Sequence, residues 1–259
     1  MTSLECDLAV KQVSYEKSHP LFFIYILFCG DYVFECECIR VFMSIHYIRS
    51  DIMSDSNIYL LTGERNILID SGTGYGSASV MDQIDSILKG DPLDTLILTH
   101  CHADHAGGAK QLIDKYGCTC MAYENDAVHL QDADEVVLYE MFGITPIPLD
   151  PLELYDGDCI SNGQHSLNVI WTPGHTDGSI CLYDENTKSL FSGDTVFANG
   201  VGRTDFPAGS SVDLKSSIER ISSIDIIDLY PGHGNPVIGS GLQSIKSAMR
   251  LVRCSYEDN

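Results

Sequence analysis

Thr99-His100-Cys101-His102-Ala103-Asp104-His105-Ala106-Gly107-Gly108 packs four metal-binding side chains into six consecutive residues. The stretch begins where an apolar strand pattern, Leu93 to Thr99, ends, and it stops where a helical pattern, Ala106 to Tyr116, begins. From a bent loop His100 and His102 can reach one ion, while Asp104 and His105 turn toward a second beside it. Imidazole and carboxylate together suit Zn²⁺, Fe and Mn²⁺. A single histidine is usually a satisfied core or surface residue. Isolated structural roles would not bunch four ligands this closely.

Further potential ligands follow at loop positions after strand patterns. Thr172-Pro173-Gly174-His175-Thr176 comes after Leu167 to Trp171, Ser192-Gly193-Asp194-Thr195 after Leu190-Phe191, and Pro231-Gly232-His233-Gly234 after Ile226 to Tyr230. Each sets one ligand at a strand end beside glycine, and each is weak alone. With the first cluster they supply enough donors for two adjacent ions.

Working outward, Asn57 to Thr62 and Asn66 to Asp70 read as strands joined by a Gly63-Glu64-Arg65 turn. Ser71-Gly-Thr-Gly-Tyr-Gly lacks the Lys-Ser/Thr of a phosphate loop and reads as turn chemistry. Val80, Ile84, Ile87 and Leu88 mark one face of a helix. Later patterns place strands at Leu167 to Thr172, Ser179 to Tyr183, Lys188 to Ser192 and Ile226 to Tyr230, and helices at Ser211 to Ile221 and Leu242 to Val252. Pattern alone gives an α/β or α+β domain.

His-x-His-x-Asp-His followed in order by His175, Asp194 and His233 resembles the metallo-β-lactamase superfamily, from about Asn57 to about Val237. The resemblance implies a four-layer αβ/βα sandwich with the metal site at one edge, between two β-sheets. It implies two divalent metal ions per chain, Zn first, with Fe or Mn as alternatives. His100, His102 and His175 would hold the first ion, and Asp104, His105 and His233 the second. Asp194 would bridge both. Asp104 and Asp194 are thereby catalytic, since the nucleophile is a hydroxide held by the metals. Leu68-Ile-Asp-Ser-Gly also matches, so Asp70 either holds ligand geometry from behind or caps the turn after its strand.

Such a site lowers the pKa of water toward about 7 and stabilises a developing oxyanion. A thiolate leaves readily because a thiol pKa is only about 8.5. Thioester hydrolysis fits, as do lactone, lactam and phosphodiester cleavage. Val201-Gly-Arg-Thr-Asp-Phe-Pro207 resembles a segment of short glyoxalase II-like (hydroxyacylglutathione hydrolase-like) enzymes and of persulfide dioxygenases. Arg203 is the candidate substrate-binding residue, gripping a carboxylate of a thiol carrier such as glutathione, or else it pairs with Asp205. The sequence shows few residues after His233, where long glyoxalase II enzymes carry a helical glutathione-binding region, which leaves the carrier open. The expectation is a binuclear metal-dependent thioesterase acting on a small molecule. The alternatives are a mononuclear iron persulfide dioxygenase using His100, His175 and Asp194, and a non-catalytic metal-binding module.

The formal net charge of −22 over 259 residues disfavours nucleic acid and anionic membranes as partners. No basic stripe supports a nuclease. Ten cysteines without a Cys-x-x-Cys pair read as reduced thiols of a cytoplasmic protein. Cys36/Cys38 and Cys118/Cys120 are too close in sequence for good disulfide geometry. Leu21 to Cys29 is an apolar run preceded by Lys11 and Lys17. It resembles the core of a signal peptide but lacks a small-x-small site, and it falls short of the roughly 20 residues of a membrane span. Residues 1–42 are therefore expected to be an extension outside the fold, or the product of a start assigned too early. Residues 43–259 are expected to form the hydrolase domain. Composition says nothing of oligomeric state.

Overall fold

The computed structural model describes the backbone of residues 9–13, 24–29, 32–33 and 45–257, and side chains from 45 to 253. The chain divides into two units, Met1–Ser44 and Ile45–Asn259. In the first, Ala9–Val13, Ile24–Cys29 and Tyr32–Val33 form an antiparallel sheet. The larger part of the apolar run is thus strand, while Leu21 to Phe23, Cys36, Cys38 and Met43 lie outside the described residues. No helix among those residues is long and apolar enough to cross a membrane.

The second unit carries two mixed sheets. One runs Ile45–Ile48, Ile58–Leu61, Ile67–Ile69, Thr95–Ile97, Thr119–Tyr123, Leu152–Leu154 in spatial order. The other runs Cys159–Ser161, Ser166–Trp171, Ile180–Asp184, Ser189–Gly193, Asp228–Pro231. Each begins as antiparallel hairpins and finishes with parallel pairings. Parallel neighbours need crossovers, which the helices between the later strands supply.

The alternation of side chains along these strands builds the layers. Leu60, Leu68 and Leu96 point to an outer core shared with Val80, Ile84 and Leu112 from the helices Ser77–Leu88 and Ala109–Tyr116. Tyr59, Leu61, Ile67, Ile69 and Ile97 point the other way, onto Leu167, Val169, Ile180, Leu182 and Phe191 of the second sheet. From that sheet Cys181 and Leu190 face a third cluster with Leu214, Ile218, Ile245 and Ala248 of the helices Ser211–Ile221 and Gly241–Glu257. Helices, sheet, sheet and helices therefore stack as the expected four-layer αβ/βα sandwich. Strands buried on both faces read as continuous apolar runs rather than strict alternation, as Ile58–Leu61 and Ile67–Ile69 do.

Two expectations need correction. The helix expected over Ala106 to Tyr116 is two, Ala103–Ala106 and Ala109–Tyr116. At the break the Gly108 N–H donates to the Gly72 carbonyl at 2.9 Å instead of continuing the helix, an approach that needs glycine: a Cβ on Gly107 would come within 2.6 Å of the Thr73 carbonyl oxygen, and one on Gly108 within 2.4 Å of that of Ser71. The glycine-rich turn after Ile69 sits against this break. Between Gly117 and Ser166, where the sequence pattern assigns nothing, lie the strand Thr119–Tyr123, the helix Glu124–Asp132 and a short helical segment, Glu135–Phe142.

Candidate metal centre

The seven candidate ligands stand at the C-terminal ends of strands, at the edge where the two sheets meet. Thr95–Ile97 delivers His100 and His102, and the four-residue helix that follows carries Asp104 and His105. Ser166–Trp171 leads to His175, Ser189–Gly193 to Asp194, and Asp228–Pro231 to His233. Their ligand atoms fall into three mutually close groups: His100, His102 and His175; His100, His105 and Asp194; Asp104, His105 and His233.

Individual distances describe two adjoining pockets. His102 Nδ1 lies 2.9 Å from His175 Nε2. His105 Nε2 lies 3.3 Å from His233 Nε2, which is 3.1 Å from Asp104 Oδ2. Asp194 stands between, with Oδ1 3.3 Å from His105 Nε2 and Oδ2 3.5 Å from His175 Nε2 and 3.6 Å from His233 Nε2. These are ion-pair separations without hydrogen-bond geometry, so Asp194 Oδ1 has no hydrogen-bond partner.

Three histidines are held from behind, which turns the other ring nitrogen toward the cluster. His105 Nδ1 donates to Asp70 Oδ2 at 2.8 Å. His175 Nδ1 donates to the Arg203 carbonyl at 2.7 Å. His100 Nδ1 lies 3.1 Å from Thr99 Oγ1, whose hydroxyl donates to Asp70 Oδ2. His100 Nε2 is buried with no partner. Buried polar atoms are rarely left unpaired, and histidine ligands are commonly oriented by a bond from the opposite nitrogen. Asp70 also accepts the Thr99 N–H. It adopts φ 63°, a left-handed conformation uncommon outside glycine. It thus closes the turn after its strand and orients His105 at once.

Electrostatics fit a cation. Burial pushes the His102 imidazole down to about 3, with His175 adding to the effect, and burial lowers His100 and His175 as well. These rings are neutral at pH 7, as ligation requires. Burial opposes ionisation of Asp194, but His105, His175 and His233 outweigh it and hold the carboxyl well below its usual range. His105 is driven down by burial and further up by Asp70, Asp194 and Asp104, ending well above its ordinary value. A field that favours a proton on a fully buried ring favours a metal cation in its place. The residues present therefore fit a divalent metal.

Glycine makes the approach possible. A Cβ on Gly232 would lie 2.2 Å from Asp194 Oδ1 and 2.7 Å from His105 Cε1. The Gly232 N–H donates to the Gly193 carbonyl at 2.7 Å, tying the loops of Asp194 and His233 together.

Sequence reasoning missed the residues that hold these loops. Asp126, fully buried on the helix Glu124–Asp132, accepts the Cys101 N–H at 2.6 Å, the Thr176 hydroxyl at 2.9 Å and the Gly178 N–H at 2.9 Å. Asn57 binds the carbonyls of Pro231 and Gly234 through Nδ2. Ser71 binds the His105 carbonyl through both N–H and hydroxyl. A polar residue at the mouth of a buried strand was the available signal for Asn57, and the sequence offered none for Asp126.

A family model for the metallo-beta-lactamase superfamily matches residues 53–233. The chain belongs to this superfamily. Its members similar to this chain include the probable metallo-hydrolase MJ0888 of Methanocaldococcus jannaschii, 42% identical over 69% of this chain and 87% of that protein. A hydroxyacylglutathione hydrolase of Francisella philomiragia is 34% identical over 59% of this chain and 54% of its own length. The crystal structure of TTHA1623 in a di-iron-bound form is 25% identical with a TM-score of 0.64, covering 78% of this chain and 96% of that one. The chain is a metallo-hydrolase of this superfamily with a His/Asp cluster suited to divalent metal.

A cavity of about 350 Å³ opens on the cluster. His102, Asp104, His175, Asp194 and His233 form one wall, with Arg203 and apolar side chains around them. Arg203 lines this space, but its guanidinium is held by Asp205 through Nε at 2.9 Å and Nη2 at 2.7 Å. It stacks on Phe206, with Cζ 4.1 Å from the ring centre.

Proposed function

We propose that the protein is a binuclear metal-dependent thioesterase of the glyoxalase II type, acting on a small-molecule acyl thioester in the cytoplasm. The observation that carries this reading is the pair of adjoining ligand groups with Asp194 facing both. His100, His102 and His175 would hold one divalent ion, and Asp104, His105 and His233 the other, with Zn first and Fe or Mn as alternatives. When bound, the ions would supply Lewis acidity toward a carbonyl and ionise water near neutral pH.

The chain's own residues do the rest. Asp70, Thr99 and the Arg203 carbonyl fix the imidazoles so that no reorganisation is needed during reaction. Asp104 and Asp194 place negative charge beside the ligating histidines. The apolar walls shield the scissile bond from bulk water, and a thiolate leaves without an acid. A mononuclear dioxygenase would leave Asp104, His105 and His233 surplus, although they form a group of their own.

Elemental analysis of Zn²⁺- or Fe-saturated protein, followed by thioester turnover, tests the proposal. About two metals per chain and hydrolysis are expected. Asp194→Ala should lower both loading and kcat. A stoichiometry fixed at one under saturation would remove the binuclear reading.

A further inference from the structure

Apart from the candidate ligands and Arg203, the cavity lining is apolar, and its Phe206 and Phe197 rings stand edge-on to His102 and His233. Leu138, Met141 and Phe142 come from the short helical segment after Asp134, Phe197 from the short strand Val196–Phe197 and Phe206 from the loop that follows. The segment is anchored from below by buried Val136, Val137 and Tyr139. The Tyr75 hydroxyl lies 3.1 Å from the Phe142 carbonyl and 2.9 Å from that of Gly143, and it donates there. Leu138 adopts φ 63°, which is costly for a branched side chain. Met141 is 57% exposed, beside half-buried Phe142. An exposed methionine beside two phenylalanines, on a strained but anchored segment, is an adaptable apolar surface.

The polar side of the same cavity argues against a charged carrier occupying it. Arg203 is the cation lining it, and Asp205 neutralises that guanidinium with two hydrogen bonds. A glutathione carboxylate would have to displace Asp205 from the Arg203 guanidinium. An aliphatic chain meets no such penalty, and the volume suits a small ligand.

We infer that this cavity binds the acyl side of the substrate, and that the acyl group is a medium-length aliphatic chain lying on Leu138, Met141 and Phe142. The inference rests on the thioesterase reading for its chemistry, but chain binding is measurable without turnover. Met141 and Phe142 are then specificity-determining residues.

The experiment uses metal-loaded full-length protein. One arm measures kcat/KM for acetyl, butanoyl, hexanoyl and octanoyl thioesters of N-acetylcysteamine, with S-lactoylglutathione for comparison. The other titrates butanoate, hexanoate and octanoate calorimetrically. Burial of each methylene should raise kcat/KM and affinity by about fourfold until the cavity is filled. Met141→Glu should cut the octanoyl-to-acetyl ratio at least about tenfold and weaken octanoate, with melting temperature and metal content as controls; Phe142→Ser provides a second variant. Turnover that is flat with chain length, or that favours S-lactoylglutathione, overturns the inference and leaves the thioesterase standing. Octanoate binding that falls on Met141→Glu, without turnover of any thioester, sinks the thioesterase and keeps the chain site. Neither turnover nor chain-dependent binding overturns both.

Discussion

Asp126 joins two loops that lie 75 residues apart in sequence, at Cys101 and Thr176, and it does so with one carboxylate. The Cys101 N–H sits between His100 and His102, and Thr176 follows His175. Asp126→Ala would leave the buried Cys101 and Gly178 N–H groups without an acceptor, at about 1–3 kcal/mol each before water enters, while the Thr176 hydroxyl can turn to Ser179 Oγ. The expected outcome is a loss of about 2–4 kcal/mol in denaturant unfolding, together with weaker metal retention during dialysis against a chelator. Burial raises the Asp126 carboxyl to about 6 against the hydrogen bonds that lower it. An acid whose folded pKa exceeds its unfolded one stabilises the fold below the unfolded value, and that contribution is lost as pH rises through the folded value. The metal-free parent should therefore gain stability relative to Asp126→Asn as pH falls from about 6 toward 4, by something on the order of 3 kcal/mol. A difference curve flat across that window would remove the assignment. The candidate ligands stood out because His100, His102, Asp104 and His105 cluster in one loop and the rest sit at strand ends beside glycine, and the structure brings them together. Asp126 was not, because what it does depends on partners that only the fold brings near.

At the scale of elements, the legible parts were those whose apolar pattern matches one period. Ser211–Ile221 coincides with its expected bounds, and the strands that the sequence marked agree to within two residues at their ends, whereas Ile45–Ile48, Thr119–Tyr123, Leu152–Leu154 and Cys159–Ser161 carried no assigned pattern. The helix Glu124–Asp132 was opaque for a physical reason: Asp126 occupies a core-facing position where periodicity asks for an apolar residue. The Gly107–Gly108 break was hidden in the same way, because it depends on the turn at Ser71 and Thr73 packed against it. Close loop approach also yields a prediction. Gly232→Ala would place a methyl 2.2 Å from Asp194 Oδ1 and 3.0 Å from the Gly193 carbonyl carbon. Backbone lies on one side, so the loop of His233 must move. Metal content should drop below that of the parent under equal Zn²⁺, and thioester kcat should fall at least about tenfold, since small misplacements of catalytic groups are costly. Full loading and unchanged kcat would show that the loops tolerate separation.

At the scale of the whole molecule, charge and unit division dominate. A net charge of −22 makes the fold repel itself. Raising NaCl so that the screening length contracts from about 30 Å to about 8 Å should lift Tm by a few degrees, and scanning calorimetry at several salt concentrations checks it. The last prediction concerns residues 1–42. The three apolar clusters and all seven candidate ligands fall within Ile45–Asn259. Its first strand, Ile45–Ile48, pairs with Ile58–Leu61 over four residues, a pairing that uses no residue before Ile45. The truncated chain should then unfold in one cooperative transition with Tm within about 4 °C of the parent, a shift of about 1 kcal/mol for a unit of this size. Its metal stoichiometry and thioester kcat/KM should match. A melt lowered well beyond that range, with metal lost in parallel, would mean that the sheet of Ala9–Val13 and Ile24–Cys29 contributes to the hydrolase fold, and the boundary at Met43 would have to be given up.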